Sequence, residues 1–393
     1  MSLRISRTIG ATISPPVMEA RRWLAGVEFS NEKPLLNLSQ AAPVDPPPAP
    51  LLTEVARIAT NDPSAHLYGP VLGLPELRSE VAAQWSAAYD GVIRDDNVAI
   101  TSGCNQAFCA AINVVAAPGD AVILPTPWYF NHFMHLSMQG IEVRPLECGT
   151  GMLPDPDALA QIYDARVKAI VLVSPNNPTG AEYPPDLITA IAEFARERGI
   201  ALILDETYRD FHSDDRRPHD LFTNPDWGDT LIHLYSFSKT FRLTGHRVGA
   251  MIAGANVLSE AEKYLDTVSI CPNQIGQRAA LYGLRTLAGW VREERAEILR
   301  RRAAVEAAFD RYPTGKLLSV GAYFAFIEHP FGMASDQVAR ALVKQQSVLV
   351  LPGTMFTPEG SDLGRRSIRV AFANADAAGI ETFAQRFSAF CPG

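Results

Sequence analysis

The chain has 393 residues, 47% hydrophobic and 20% charged, with a net charge of −8. That profile belongs to a globular protein too long for one core, so two domains are expected and disorder or a fibrous repeat is excluded. Without a Lys/Arg run no nucleic-acid or anionic-membrane partner is expected, and the longest apolar stretches fall well short of the ~20 residues that span a bilayer.

In chain order, the N-terminus carries Arg4 and Arg7 but no apolar block of signal-peptide length, which makes the cytoplasm the expected compartment. The proline-rich stretch 43–50 (PVDPPPAP) reads as an extended connector, because proline removes the donors that a helix or sheet interior needs. Next come strand-like runs at 98–101, 121–124, 167–173, 200–204, 231–235 and 248–253, with helical patterns at 106–115 and 186–198 between them. Such alternation predicts an α/β fold with a largely parallel sheet, and runs apolar on both faces predict a sheet covered on both sides. The charged stretch 290–312 reads as one long amphipathic helix, and runs at 322–327, 348–351 and 367–372 suggest a smaller α+β domain. Five cysteines, an odd number without CxxC spacing, predict reduced thiols and no metal site.

Chemistry concentrates at three places. In Tyr235-Ser236-Phe237-Ser238-Lys239-Thr240 a strand ends in small hydroxyl residues beside a lysine, with Gly245, Arg247 and Gly249 following. A lysine that forms a Schiff base must lose its charge near neutral pH, which burial and neighbouring cations promote. Of the six lysines, the other five (Lys33, Lys168, Lys263, Lys316 and Lys344) sit in ordinary surface-like settings. Two further motifs, Ser174-Pro175-Asn176-Asn177-Pro178-Thr179-Gly180 and Leu204-Asp205-Glu206-Thr207-Tyr208, each follow an apolar strand. Carboxyl ends of strands are where ligands bind in open α/β sheets. Neither GxGxxG nor GxxxxGK occurs, which argues against a nicotinamide or ATP enzyme.

NNPTG, DETY and SFSKTFRLTGHRVG, in this order and spacing, resemble the class I and II aminotransferase family of fold-type I pyridoxal-phosphate (PLP) enzymes. The resemblance runs from the segment 38–43 through Tyr68-Gly69-Pro70-Val71-Leu72-Gly73 to Arg369 in SIRVAF. It implies a large PLP-binding domain (46–285) with a mostly parallel seven-stranded sheet. A smaller α+β domain would combine the N-terminal segment (1–45) with an interdomain helix and C-terminal part (286–393). By the same resemblance Lys239 holds the cofactor as a Schiff base and shuttles a proton between the substrate α-carbon and the cofactor C4′. Asp205 pairs with the pyridine nitrogen, while Asn177 and Tyr208 bond the phenolic oxygen. Tyr129 stacks on the ring, with Trp128 as its rival. Gly103, Cys104 and Asn105, at the start of a helix, form the phosphate site together with Ser236, Ser238 and the bidentate fork of Arg247.

Arg369 would bind the substrate α-carboxylate, and Ala41 stands where many relatives carry a glycine beside that carboxylate. The implied reaction is transamination between an L-amino acid and a 2-oxo acid. A β-lyase or decarboxylase is the alternative within PLP chemistry, and a non-catalytic PLP-binding regulator the alternative outside it. Dicarboxylate-specific relatives need a second cation, yet Asn105 fills one of its usual places and the stretch 265–271 (LDTVSIC) contains no basic residue. With Tyr323 and Trp128 as expected pocket walls, a neutral or aromatic donor is favoured over aspartate. Tyr68 resembles the tyrosine that reaches the neighbouring subunit's phosphate, which implies a homodimer.

Overall fold

In a computed structural model, which describes residues 3–391, the apolar runs become strands. They are β1 (Leu36–Asn37), β2 (Val98–Thr101), β3 (Ala121–Thr126), β4 (Glu142–Glu147), β5 (Val167–Val173), β6 (Ala201–Asp205) and β7 (Leu231–Ser236). After them come β8 (Gly249–Ile252), β9 (Lys316–Gly321), β10 (Phe324–Glu328), β11 (Val348–Leu349), β12 (Leu351–Pro352) and β13 (Ser367–Val370). A seven-stranded sheet has the order β2, β8, β7, β6, β5, β3, β4. β8 is antiparallel to both of its neighbours, and the other pairs are parallel. The mostly parallel α/β fold expected from the sequence is therefore present.

Alternation along the strands explains why both faces are covered. Ile170 and Leu172 of β5 enter one apolar cluster, and Ala169 and Val171 enter another. Leu202 and Leu204 of β6 repeat the first choice, Ile203 the second. Helices Pro75–Tyr89 and Pro185–Glu197 close the first face through Leu77, Val81, Trp85, Ile188 and Ile191. Cys104–Val115 and Ala255–Ser269 close the second through Phe108, Ala111, Leu258 and Leu265. Each fully buried Leu or Ile contributes ~1.5–3 kcal/mol, so the sheet is a rigid base for the residues at its strand ends.

A second, antiparallel sheet has the order β12, β13, β10, β9. Val338, Leu342, Phe383 and Phe387 from two helices pack on it, with Ile298 and Val305 of the long helix Ala288–Arg311. β1 pairs in parallel with β11, Leu36 opposite Val348, so the N-terminal segment is tied to the C-terminal part of the chain. The proline-rich connector is shorter than expected. A helix already begins at Ala49, with Pro50 in its first turn, where a missing N–H costs no hydrogen bond. Among the described residues no helix is long and apolar enough to cross a membrane.

Candidate active site

The ends of β6 and β7 lie side by side because those strands are parallel neighbours. One ends in Asp205, and the other in Ser236, which caps the short helix Phe237–Thr240 that carries Lys239. A cavity of about 360 Å³ opens here, lined by Asp205, Lys239, Asn177, Arg247 and Arg369 among others.

Lys239 Nζ donates to the Ala41 carbonyl at 2.6 Å. Burial, then the cations of Arg247 and Arg369, bring its pKa down to about 8, so the neutral amine required for imine formation is accessible near neutral pH. Arg369, on β13 and only 2% exposed, donates through Nη1 to Asn177 Oδ1 at 3.0 Å and through Nη2 to the Ser39 carbonyl. Its Nε has no partner among the described residues. Phe324 and Phe356 flank the guanidinium at 5.0 and 4.9 Å, and burial pulls its pKa down to about 10. An anion from outside is what this buried cation lacks.

Asp205 is buried. Its Oδ1 accepts from the Thr207 N–H at 2.9 Å, and its Oδ2 lies 3.5 Å from His132 Nε2. Burial alone would raise its pKa, but His132 and Thr207 outweigh that and keep the carboxyl below its ordinary value. His132 stacks on Phe108 with ring centres 3.9 Å apart. The cavity therefore contains a carboxylate poised to meet a protonated ring nitrogen.

The same cavity is lined by Cys104, Asn105, Ser236, Ser238 and Arg247. Gly103, at φ +84°, caps the helix that starts at Cys104, and a Cβ there would collide with the Arg247 guanidinium. Glycine at that position is what lets the cation approach the helix N-terminus. First-turn N–H groups lack intrahelical partners and favour an anion. Arg247 Nη1 also lies 3.4 Å from Ser238 Oγ.

Other sequence-named residues divide. Tyr208 is buried within the lining, where burial drives its pKa well above the ordinary value. Ala41 and Tyr129 also line the cavity, and the Tyr129 hydroxyl accepts from Asn131 Nδ2 at 2.8 Å. Trp128 and Tyr323, expected as pocket walls, lie outside the lining of this cavity. Trp128 stacks on Phe133, ring centres 4.6 Å apart, and Tyr323 packs on Phe211 and Tyr208 at 4.9 and 5.2 Å. Each has its aromatic face filled by protein. Tyr68 lies outside the lining and is 81% exposed. Sequence reasoning missed His132, although it stands in the PWYFNH segment, and the wall made by Val17, Met18, Arg21, Gln40 and Phe130.

The family model described as aminotransferase class I and II matches residues 33–387. The chain belongs to that family. An aromatic aminotransferase of Arabidopsis thaliana is 31% identical over 360 residues, 88% of this aminotransferase and 87% of the relative. An aspartate aminotransferase of Pyrococcus horikoshii is 30% identical over 330 residues, 82% of this chain and 83% of that one. In fold, a mutant aspartate aminotransferase of Thermus thermophilus superposes with a TM-score of 0.88 at 23% identity, covering 98% of this chain and 99% of its own. The aminotransferase is thus a PLP-dependent enzyme that transaminates. Its cavity fits that cofactor: cation, hydroxyls and helix terminus suit the phosphate, Asp205 the ring nitrogen, and Lys239 the aldehyde carbon.

Proposed function

We propose that this aminotransferase moves the amino group of a neutral or aromatic L-amino acid to a 2-oxo acid, using the residues of the Asp205–Lys239–Arg369 cavity. The observation that carries the reading is that Lys239 and Arg369 are held by carbonyls two residues apart, those of Ala41 and Ser39, at one cavity. An amine and a carboxylate binder so linked suit the two groups that every α-amino acid shares.

When bound, PLP supplies the carbon that takes the amino group and a ring that delocalises the electron pair left at the substrate α-carbon. Lys239 would hold the cofactor through Nζ and, once released, carry the proton that leaves the α-carbon. Asp205 keeps the ring nitrogen protonated. Asn177 and Tyr208 orient the phenolic oxygen, and Tyr129 covers the ring. Gly103, Cys104, Asn105, Ser236, Ser238 and Arg247 hold the phosphate. Arg369 fixes the α-carboxylate, with Ala41 and Asn177 beside it. The apolar side chains of Val17, Met18 and Phe130 in the lining support a neutral or aromatic substrate side chain.

The working unit is a homodimer in which Tyr68, exposed and outside its own cavity, reaches the partner's phosphate site. Within each chain, residues 46–285 and 286–393 act as large and small domains, with 1–45 joined to the latter. The β1–β11 pairing supports that division. Five unpaired thiols suit a reducing compartment, so the cytoplasm is proposed.

Borohydride reduction of the holoenzyme followed by peptide mapping should find the pyridoxyl group on Lys239. A label on another lysine overturns the assignment. Phenylalanine followed by a 2-oxo acid should then cycle the spectrum between aldehyde and amine forms. If the label sits on Lys239 and no neutral or aromatic amino acid gives the amine form, the substrate reading fails.

A further inference from the structure

Asn105 and the stretch 265–271 bring no cation to the cavity, yet the fold brings one from elsewhere. Arg21, near the end of helix Pro16–Arg22, lines the same cavity as Lys239 and Arg369. Its Nη2 donates to Gln40 Oε1 at 2.7 Å. Among the described residues no carboxylate lies within ion-pair distance of it, although its neighbour Arg22 pairs with Glu19 at 3.0 Å.

Gln40 stands between Ser39, whose carbonyl receives Arg369, and Ala41, whose carbonyl receives Lys239. Its own carbonyl is held by Asn374 Nδ2. Three successive residues therefore hold three cations at one cavity. Of the two guanidinium groups, Arg369 has two acceptors, Asn177 Oδ1 and the Ser39 carbonyl, and Arg21 has one, the neutral side chain of Gln40. A guanidinium has five N–H donors in a planar fork. One neutral amide oxygen leaves most of that fork available for a bidentate carboxylate. Val17 and Met18, on the helix that carries Arg21, supply apolar wall for the methylenes between two acidic ends.

We infer that Arg21, held by Gln40, reads the side-chain carboxylate of a dicarboxylic 2-oxo acid and so selects the amino acceptor. This rests on the reading of Arg369 as the α-carboxylate site and deepens it. One cavity then serves both halves of the reaction, a neutral or aromatic donor against the apolar wall and an acidic acceptor between two arginines.

The test uses the holoenzyme and two unreactive five-carbon acids, glutarate and pentanoate, which differ in one carboxylate. Spectral titration should show wild type preferring glutarate, and Arg21→Gln should cut that preference about tenfold, the scale of a hydrogen bond to a charged group. Added salt should shrink the wild-type preference, because Arg21 is exposed, and leave that of the variant nearly unchanged. The salt series requires no variant to fold. The kcat/KM ratio of 2-oxoglutarate to 2-oxopentanoate should follow the binding ratio. No glutarate preference in wild type, or an equal preference in Arg21→Gln, overturns the inference. The underlying reading fails separately, through a pyridoxyl label away from Lys239 or through Arg369→Lys binding both acids as well as wild type does.

Discussion

Lys239 combines two demands that an exposed lysine cannot meet, neutrality near pH 7 and a fixed position. With its pKa lowered to about 8 by burial and by Arg247 and Arg369, roughly a tenth of the cofactor-free side chain is neutral at pH 7. An ordinary lysine is neutral to only about one part in a few thousand. Competitive acetylation of the cofactor-free protein, read by mass spectrometry, should show Lys239 titrating near pH 8. A midpoint at the ordinary lysine value of about 10.4 would remove the electrostatic argument. That Lys239, Asp205 and Asn177 meet at one cavity was legible because each follows a strand end, whereas the place of Arg247 and Arg369 there was legible only through the family resemblance. Trp128 and Tyr323 lie outside the lining and pack on other rings, which an aromatic residue in sequence does not reveal. His132 and Arg21 left no local signal, since each acquires meaning only from a partner distant in the chain.

At the scale of elements, one buried cluster joins the parts that carry the site. Glu206 directly follows Asp205, and its Oε2 accepts from the Tyr89 hydroxyl and from His233 Nε2 at 2.7 Å, with His219 Nε2 3.5 Å away. Burial would raise this carboxyl, but His219 and His233 hold it well below the usual range. The cluster thereby ties the end of β6 to β7 and to helix Pro75–Tyr89. Glu206→Ala should lower unfolding stability by about 3–5 kcal/mol in denaturant titration, because buried donors lose a charged acceptor. A loss under ~1 kcal/mol would mean the cluster is incidental. Central strands were legible almost to the residue, since being apolar on both faces marks them in sequence. β4 was not, because Glu142, Arg144 and Pro145 give it the polar character of an edge strand.

For the whole molecule, an 81% exposed Tyr68 predicts sites completed across a dimer interface. Tyr68→Ala and Lys239→Ala, each inactive as a homodimer, should regain part of wild-type activity after subunit exchange, since one site in each hybrid then has both residues. No recovery despite proven exchange would confine each site to its own chain. The segment Ser39–Ala41 also has a consequence for biosynthesis. Its bond to Lys239 spans 198 residues of sequence and its bond to Arg369 spans 330. A ribosome releases the strands of the large sheet well before β13, and domains tend to fold as units from the N-terminus. A nascent chain can thus assemble the groups suited to phosphate and ring nitrogen while Ser39 still waits for its arginine. If Arg369 binds the α-carboxylate as proposed, the part of the centre that distinguishes an amino acid from a simple amine is the last to come into existence.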